Sequence, residues 1–169
     1  MKLIQALKKI KDLRRKVDDL QIMIRDHSAD LSHETPVYPD QRQAVDAFVQ
    51  ARQDILKEIL RLRIAIQRTN LCTPVTVTFM EREVTKSIAE WIHMRKDLAA
   101  LELASYTAMT DRGLKEGVIR QSNGTEQEVK IRRYYDPKTR DSMKSMLQSA
   151  PSEIDAALEV ANAITDLIE

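Results

Sequence analysis

Two groups of basic side chains sit where they could engage a negatively charged partner. Lys8, Lys9, Lys11, Arg14, Arg15 and Lys16 crowd the first stretch of the chain, and Arg132-Arg133 precede Tyr134-Tyr135. Cations spaced along a helix can reach successive phosphates, and aromatic rings beside basic residues can stack on bases. Asp12, Asp18 and Asp19 interrupt the first group, which favours a solvated or protein-facing helix surface over nucleic acid or anionic lipid. The second group is also ordinary composition for an edge strand. Lys8, Lys9, Lys11, Arg14, Arg15, Arg132 and Arg133 are therefore the candidate partner-contacting residues.

Other reactive residue types are scattered. His27, His33 and His93 have no second His or Cys at knuckle or helical spacing, and His33-Glu34 lacks the following His that a zinc helix needs. Cys72 follows the carbonyl end of an expected helix, where a thiolate is not favoured. The three glycines, Gly113, Gly117 and Gly124, build no phosphate-cradling loop, and no pair of carboxylates is singled out for acid and base work. The expectation is no catalytic residue, no cofactor and no metal.

Side chains so placed need long helices to carry them. Leu3, Ala6, Ile10, Leu13, Val17, Leu20 and Ile24 recur at alternating spacings of three and four, a heptad seam from about Lys2 to Arg25 that requires a partner helix. A loop of roughly a dozen residues around Pro36 and Pro39 follows. Asp40 can cap a second helix with the seam Val45, Phe48, Ile55, Ile59, Leu62 and Ile66, interrupted by Arg52. So short a connection predicts an antiparallel hairpin. The second helix should stop near Thr69-Asn70 and Pro74, and the alternation of Val75, Val77 and Phe79 with threonines predicts a short extended stretch.

Thr78 and Glu81 form a capping-box pattern, which starts a third helix carrying Val84, Ile88, Trp91, Leu98, Leu101 and Ala108 on one face to about Thr110. Asn123-Gly124 predicts a β-hairpin pairing Val118-Gln121 with Val129-Arg132. Asp136-Pro137 opens a helix to about Ser149, and Pro151 starts another, with Ile154, Leu158, Ala161, Ile164 and Ile168 on its apolar face. The fold class expected is mainly α: an antiparallel helical hairpin plus further helices, with a small β-hairpin near 118–135. We expect one helical domain over 1–169, divided into a hairpin and third helix (1–110), a β-hairpin (111–136) and C-terminal helices (137–169).

Composition agrees with that class. Gly and Pro together number eight and aromatics are 4%, against 43% hydrophobic and 31% charged residues, a balance that excludes an all-β fold. The single cysteine rules out an intrachain disulfide and suggests a reducing compartment. No signal-peptide core or apolar run of membrane-spanning length is present, so no membrane partner is expected and the location is cytoplasmic, or a virion if the gene is phage-borne. Residues 1–25 carry eight Lys/Arg against three Asp, whereas residues 151–169 carry five Asp/Glu and no base. These opposed ends are counterparts, within one chain or between subunits.

Ile66-Gln67-Arg68-Thr69-Asn70-Leu71-Cys72-Thr73 echoes Leu158-Glu159-Val160-Ala161-Asn162-Ala163-Ile164-Thr165, with Asn fifth and Thr eighth in both. The echo marks either two helix ends that use Asn alike or a duplication. Together with the opening Met1-Lys2-Leu3 and Ala6-Leu7, Arg95 with Leu98, and Ala161-Asn162 with Leu167, it resembles a poorly characterised family of small helical bacterial and phage proteins often labelled septicolysin. The resemblance implies a helical fold without a known activity. The preferred functional reading is a non-enzymatic structural protein that self-associates into a homo-oligomer or larger assembly, such as a head-decoration or connector-region component of a phage particle. The alternative is a binding adaptor or regulator that contacts nucleic acid or a partner protein through the basic first helix.

Overall fold

The computed structural model describes residues 1–168 and is mainly α, with two small β-hairpins. The chain forms two compact units. One comprises Met1–Thr73, Ser87–Ala89 and the chain from Glu159 on; the other comprises Pro74–Lys86 and Glu90–Leu158.

In the first unit, α1 (Leu3–His27) and α2 (Gln41–Cys72) pack along each other. Their direction is antiparallel, because Lys9 reaches Glu58, Gln21 meets Arg52 and Gln41 reaches the carbonyl of His27. The heptad seam is the reason. Leu3, Ala6, Ile10 and Val17 of α1 are buried, Leu13, Leu20 and Ile24 half-buried, and on α2 the buried set is Ile59, Leu62, Ala65, Ile66 and Thr69. Asp40 caps α2 as its position predicts, its carboxylate accepting from the Gln43 N–H at 2.9 Å. At the turn of the hairpin the rings of His27, Tyr38 and Phe48 cluster, with His27 and Tyr38 edge-to-face at 5.2 Å.

The second unit departs from the sequence expectations in four places. The strand expected over Val75–Phe79 exists as β1 (Pro74–Phe79), but it pairs with β2 (Arg82–Ser87) instead of leading into a helix. Met80 and Glu81 form the turn at φ 53° and 62°, so Glu81 is not a capping residue and Val84 lies on a strand. A two-residue turn of this kind usually declares itself by Asn-Gly, and neither residue is here. Burial of Val77 and Phe79 against exposed Thr76 and Thr78 holds it, and the hydroxyls of Thr76 and Thr85 meet across the strands at 2.7 Å.

The third helix begins at Ile88, not near Glu81, and runs as α3 (Ile88–His93), a wide π-helical turn (Met94–Leu98) and α4 (Ala99–Thr107). The Ala99 N–H reaches back five residues to the Met94 carbonyl. One residue added to the turn rotates everything beyond it by about 100°. Trp91 is fully buried, its indole N–H donating to the Val75 carbonyl at 2.8 Å, but Leu98 and Leu101 are turned out to solvent and Ala99 takes the inner position.

A β-hairpin is present as predicted, but its second strand lies earlier in the chain. β3 (Gly117–Arg120) pairs antiparallel with β4 (Glu126–Val129) in the register Gly117↔Val129 to Arg120↔Glu126, so of the expected Val129–Arg132 strand only Val129 is paired, and Gln121 falls in the turn. Gly124 supplies the left-handed turn residue, at φ 83°.

Finally, α5 (Pro137–Ile164) is one helix where two were expected, with Pro151 inside it. Proline removes one rung of the ladder. The buried face of Leu147, Ala150, Ile154, Leu158 and Ala161 runs through that gap, and the Ser152 hydroxyl donates to the Ser149 carbonyl. Ile164 and Ile168, expected on the apolar face, are exposed, and Leu167 is the buried residue of the tail.

Candidate interaction surface

The α1–α2 hairpin gathers the first basic group. Lys11, Arg14 and Arg15 line one wall of an open groove of about 760 Å³, which is floored by Leu7, Ile10 and Ile66 and bounded on α2 by Arg63 and Gln67. Residues 7, 11, 14 and 18 share one face of α1 at helical spacing, so the groove wall follows directly from the heptad period. Asp18 is the single acid in the lining. Lys11, Arg14 and Arg63 make no ion pair among the described residues, and Arg15 has only a distant one to Asp12 at 3.9 Å. The groove is electropositive with an apolar base.

The other members of the predicted set are placed elsewhere. Lys8 is exposed, outside the groove lining. Lys9 is committed to the hairpin: its ammonium lies 2.8 Å from Glu58, whose second oxygen takes Arg61 at 2.9 Å. Hydrogen bonds from Arg61 and then Lys9 hold the Glu58 carboxyl down at about 2. Arg132 and Arg133 belong to the second unit. Arg133 is clamped on Asp111 through Nε at 2.8 Å and its terminal nitrogen at 2.6 Å, and the Tyr135 hydroxyl donates to the same carboxylate at 3.0 Å. The Arg133 guanidinium thereby lowers the Asp111 carboxyl. Arg140 stacks over the Tyr135 ring at 5.3 Å and donates to the Met109 carbonyl. This network closes the base of the β3–β4 excursion and engages Arg133 and Tyr135, while Arg132 and Tyr134 are exposed, Tyr134 at 89%.

One feature of α2 escaped the seam reading. Val49, Leu56, Leu60, Ile64 and Leu71 are between 37% and 66% exposed. Their spacings of seven, four, four and seven put them on one stripe, turned away from the buried face. The spacing is visible in the sequence, but the residue types match those of the core. Arg63 was missed for a related reason: it joins the cations of α1 only once the two helices are antiparallel.

Among the described residues no group of three or more His, Cys, Asp or Glu is arranged to hold a metal ion, and none of the helices is long and apolar enough to cross a membrane. A recess of about 530 Å³ in the second unit is lined by Thr76, Thr78, Glu81, Ser149 and Glu153 with Val77, Met80, Met146 and Ala157, and brings no cation or imidazole to those carboxylates.

No family model and no curated protein matches the chain. A solved structure does: the crystal structure of a functionally unknown conserved protein from Corynebacterium diphtheriae, 17% identical, with a TM-score of 0.56 over 99% of this chain and 98% of that one. At that identity the likeness shows a shared fold and carries no activity with it.

Proposed function

We propose that this chain is a non-enzymatic, helical structural protein that self-associates. The observation that carries the reading is the second apolar stripe of α2, which leaves Leu56, Leu60, Ile64 and Leu71 in water on a helix whose other face is already packed. A contiguous apolar stripe on a long helix is the usual mark of a contact with another protein. The β3–β4 hairpin points the same way, because Val118 and Ile119 are 62% and 58% exposed and an isolated two-stranded hairpin is marginal without something packed on it.

Sedimentation equilibrium of the full chain over a hundredfold concentration range tests this. Association that tightens with concentration and is weakened by Leu60→Glu is expected, while a monomer throughout overturns the reading. The finer assignment, to a component of a phage particle, draws on the resemblance to the helical bacterial and phage family. Detection of the chain in purified particles is its test.

A further inference from the structure

We infer that the groove between α1 and α2 receives the outer face of α5 from a second copy of this chain; the inference rests on the self-association proposed above and adds to it a contact distinct from the apolar stripe of α2. The groove offers Lys11, Arg14, Arg15 and Arg63 around an apolar floor. The last nineteen residues contain five acids and no base. On α5, Glu153, Ala156, Glu159, Val160, Ala163 and Ile164 are all exposed and fall on one side of the helix, opposite buried Ile154, Leu158 and Ala161.

That face has the chemistry the groove asks for. Its carboxylates, Glu153 and Glu159, meet cations, and Val160 and Ile164, 59% and 66% exposed, meet the floor. Glu153 accepts one hydrogen bond from Ser149, which leaves acceptor capacity on the carboxylate. Asp155 and Asp166 are held by Arg95 and Lys2 and take no part. The lengths agree as well: residues 7 to 18 of α1 and 153 to 164 of α5 each rise about 16 Å. A nucleic acid fits less well, because the groove carries an acid, Asp18, and has no aromatic side chain for a base to stack on.

A groove that takes a helix face of a second copy joins two different patches, a contact met either reciprocally in a symmetric dimer or head to tail in a ring or filament. The contact is charge-steered, so it weakens with salt.

The test uses the full chain in sedimentation velocity at low and high salt. Arg14→Glu with Arg63→Glu, and separately Glu153→Lys with Glu159→Lys, should each weaken association about tenfold or more with helicity by circular dichroism unchanged. Mixing the two charge-reversed proteins should restore association between them, a result that misfolded variants cannot give. Association that survives both reversals but is lost on Leu60→Glu keeps the self-association reading and overturns this contact. A mixture that stays dissociated overturns it too, as does a groove that binds a single-stranded oligonucleotide more tightly than it binds a second copy. A wild-type monomer at all concentrations overturns both inferences together.

Discussion

The ends of α2 and α5 handle the same problem with the same backbone atoms and different side chains. At the end of α2 the Thr73 N–H closes on the Thr69 carbonyl at 3.0 Å, and the Thr73 carbonyl accepts from the N–H of Ile88, the first residue of α3, at 3.0 Å. At the end of α5 the Thr165 N–H closes on the Ala161 carbonyl at 2.9 Å, and the Thr165 carbonyl accepts from Leu3, the first residue of α1, at 2.9 Å. Each helix end thus hands an orphan carbonyl to the orphan N–H of a helix start. Leu3 and Ile88, which donate those bonds, are both 1% exposed. The two echoed segments are these two helix ends, with Asn70 and Asn162 three residues before Thr73 and Thr165.

The difference lies four residues before each threonine. Thr69 is fully buried, bonds to the Ala65 carbonyl at 2.8 Å and accepts from the Ile168 N–H at 2.9 Å. Ala161 has no side-chain polar atom to do the same. The α5 junction is fastened from outside, by Lys2 on Asp166 at 2.8 Å and by the Leu167 N–H on the Met1 carbonyl at 2.7 Å. One threonine hydroxyl therefore ties the two helix ends to each other within the first unit. Similar backbone joints can be secured by a buried hydroxyl at one site and an exposed ion pair at the other, and these should respond very differently to substitution.

The largest effect expected probes what the joints share. Leu3→Ala and Ile88→Ala each remove a buried aliphatic side chain at the start of a helix, and each should cost about 3 kcal/mol in urea unfolding. Costs that differ by more than about 1 kcal/mol between the two would break the equivalence, since it would mean that one joint carries the unit and the other decorates it.

A smaller effect isolates the asymmetry. Thr69→Val keeps the shape of the side chain but withdraws the acceptor from the Ile168 N–H, at a cost of about 1–3 kcal/mol. Hydrogen exchange at the Ile168 amide should speed up in the variant, and the Leu3 amide at the neighbouring joint should keep most of its protection. Equal loss at both amides would show that the hydroxyl holds the whole joint and not only the tail.

Sequence patterns reach the two regions unequally for physical reasons. Leu3, Ala6, Ile10 and Val17 sit in an uninterrupted heptad, so α1 is legible from spacing and its antiparallel partner from the short connection, and Asn123-Gly124 advertises its turn because Gly124 adopts a left-handed conformation. Met80-Glu81 makes a tighter, two-residue turn with both residues left-handed and no glycine, the π-helical turn at Met94–Leu98 contains no proline or glycine, and Pro151 stays inside a helix because a continuous apolar face outweighs one missing hydrogen bond. Tertiary burial decides all three, and burial is not a local property. The candidate surface divides the same way: Lys11, Arg14 and Arg15 lie on one helical face and could be named from the chain, whereas Arg63 joins them from 48 residues further along.

The smallest effect expected is electrostatic and lies at the α5 joint. The Lys2 ammonium holds the Asp166 carboxyl below the ordinary aspartate value, mainly through their hydrogen bond. A carboxylate depressed in the folded state stabilises it above the unfolded value and loses that contribution as the pH falls through the folded one. Acidification should therefore move the Leu3 and Leu167 amide resonances of the joint, with a midpoint below that of a free aspartate, and leave the Ile88 amide at the other joint unaffected. Lys2→Met should raise the midpoint towards the ordinary value with little change in global stability, because both partners of the pair are substantially exposed. Should the Ile88 resonance titrate in step with Leu3, the tie through Thr69 would have to transmit the ionisation of Asp166 from one helix end to the other, and the two joints would then act as a single coupled element.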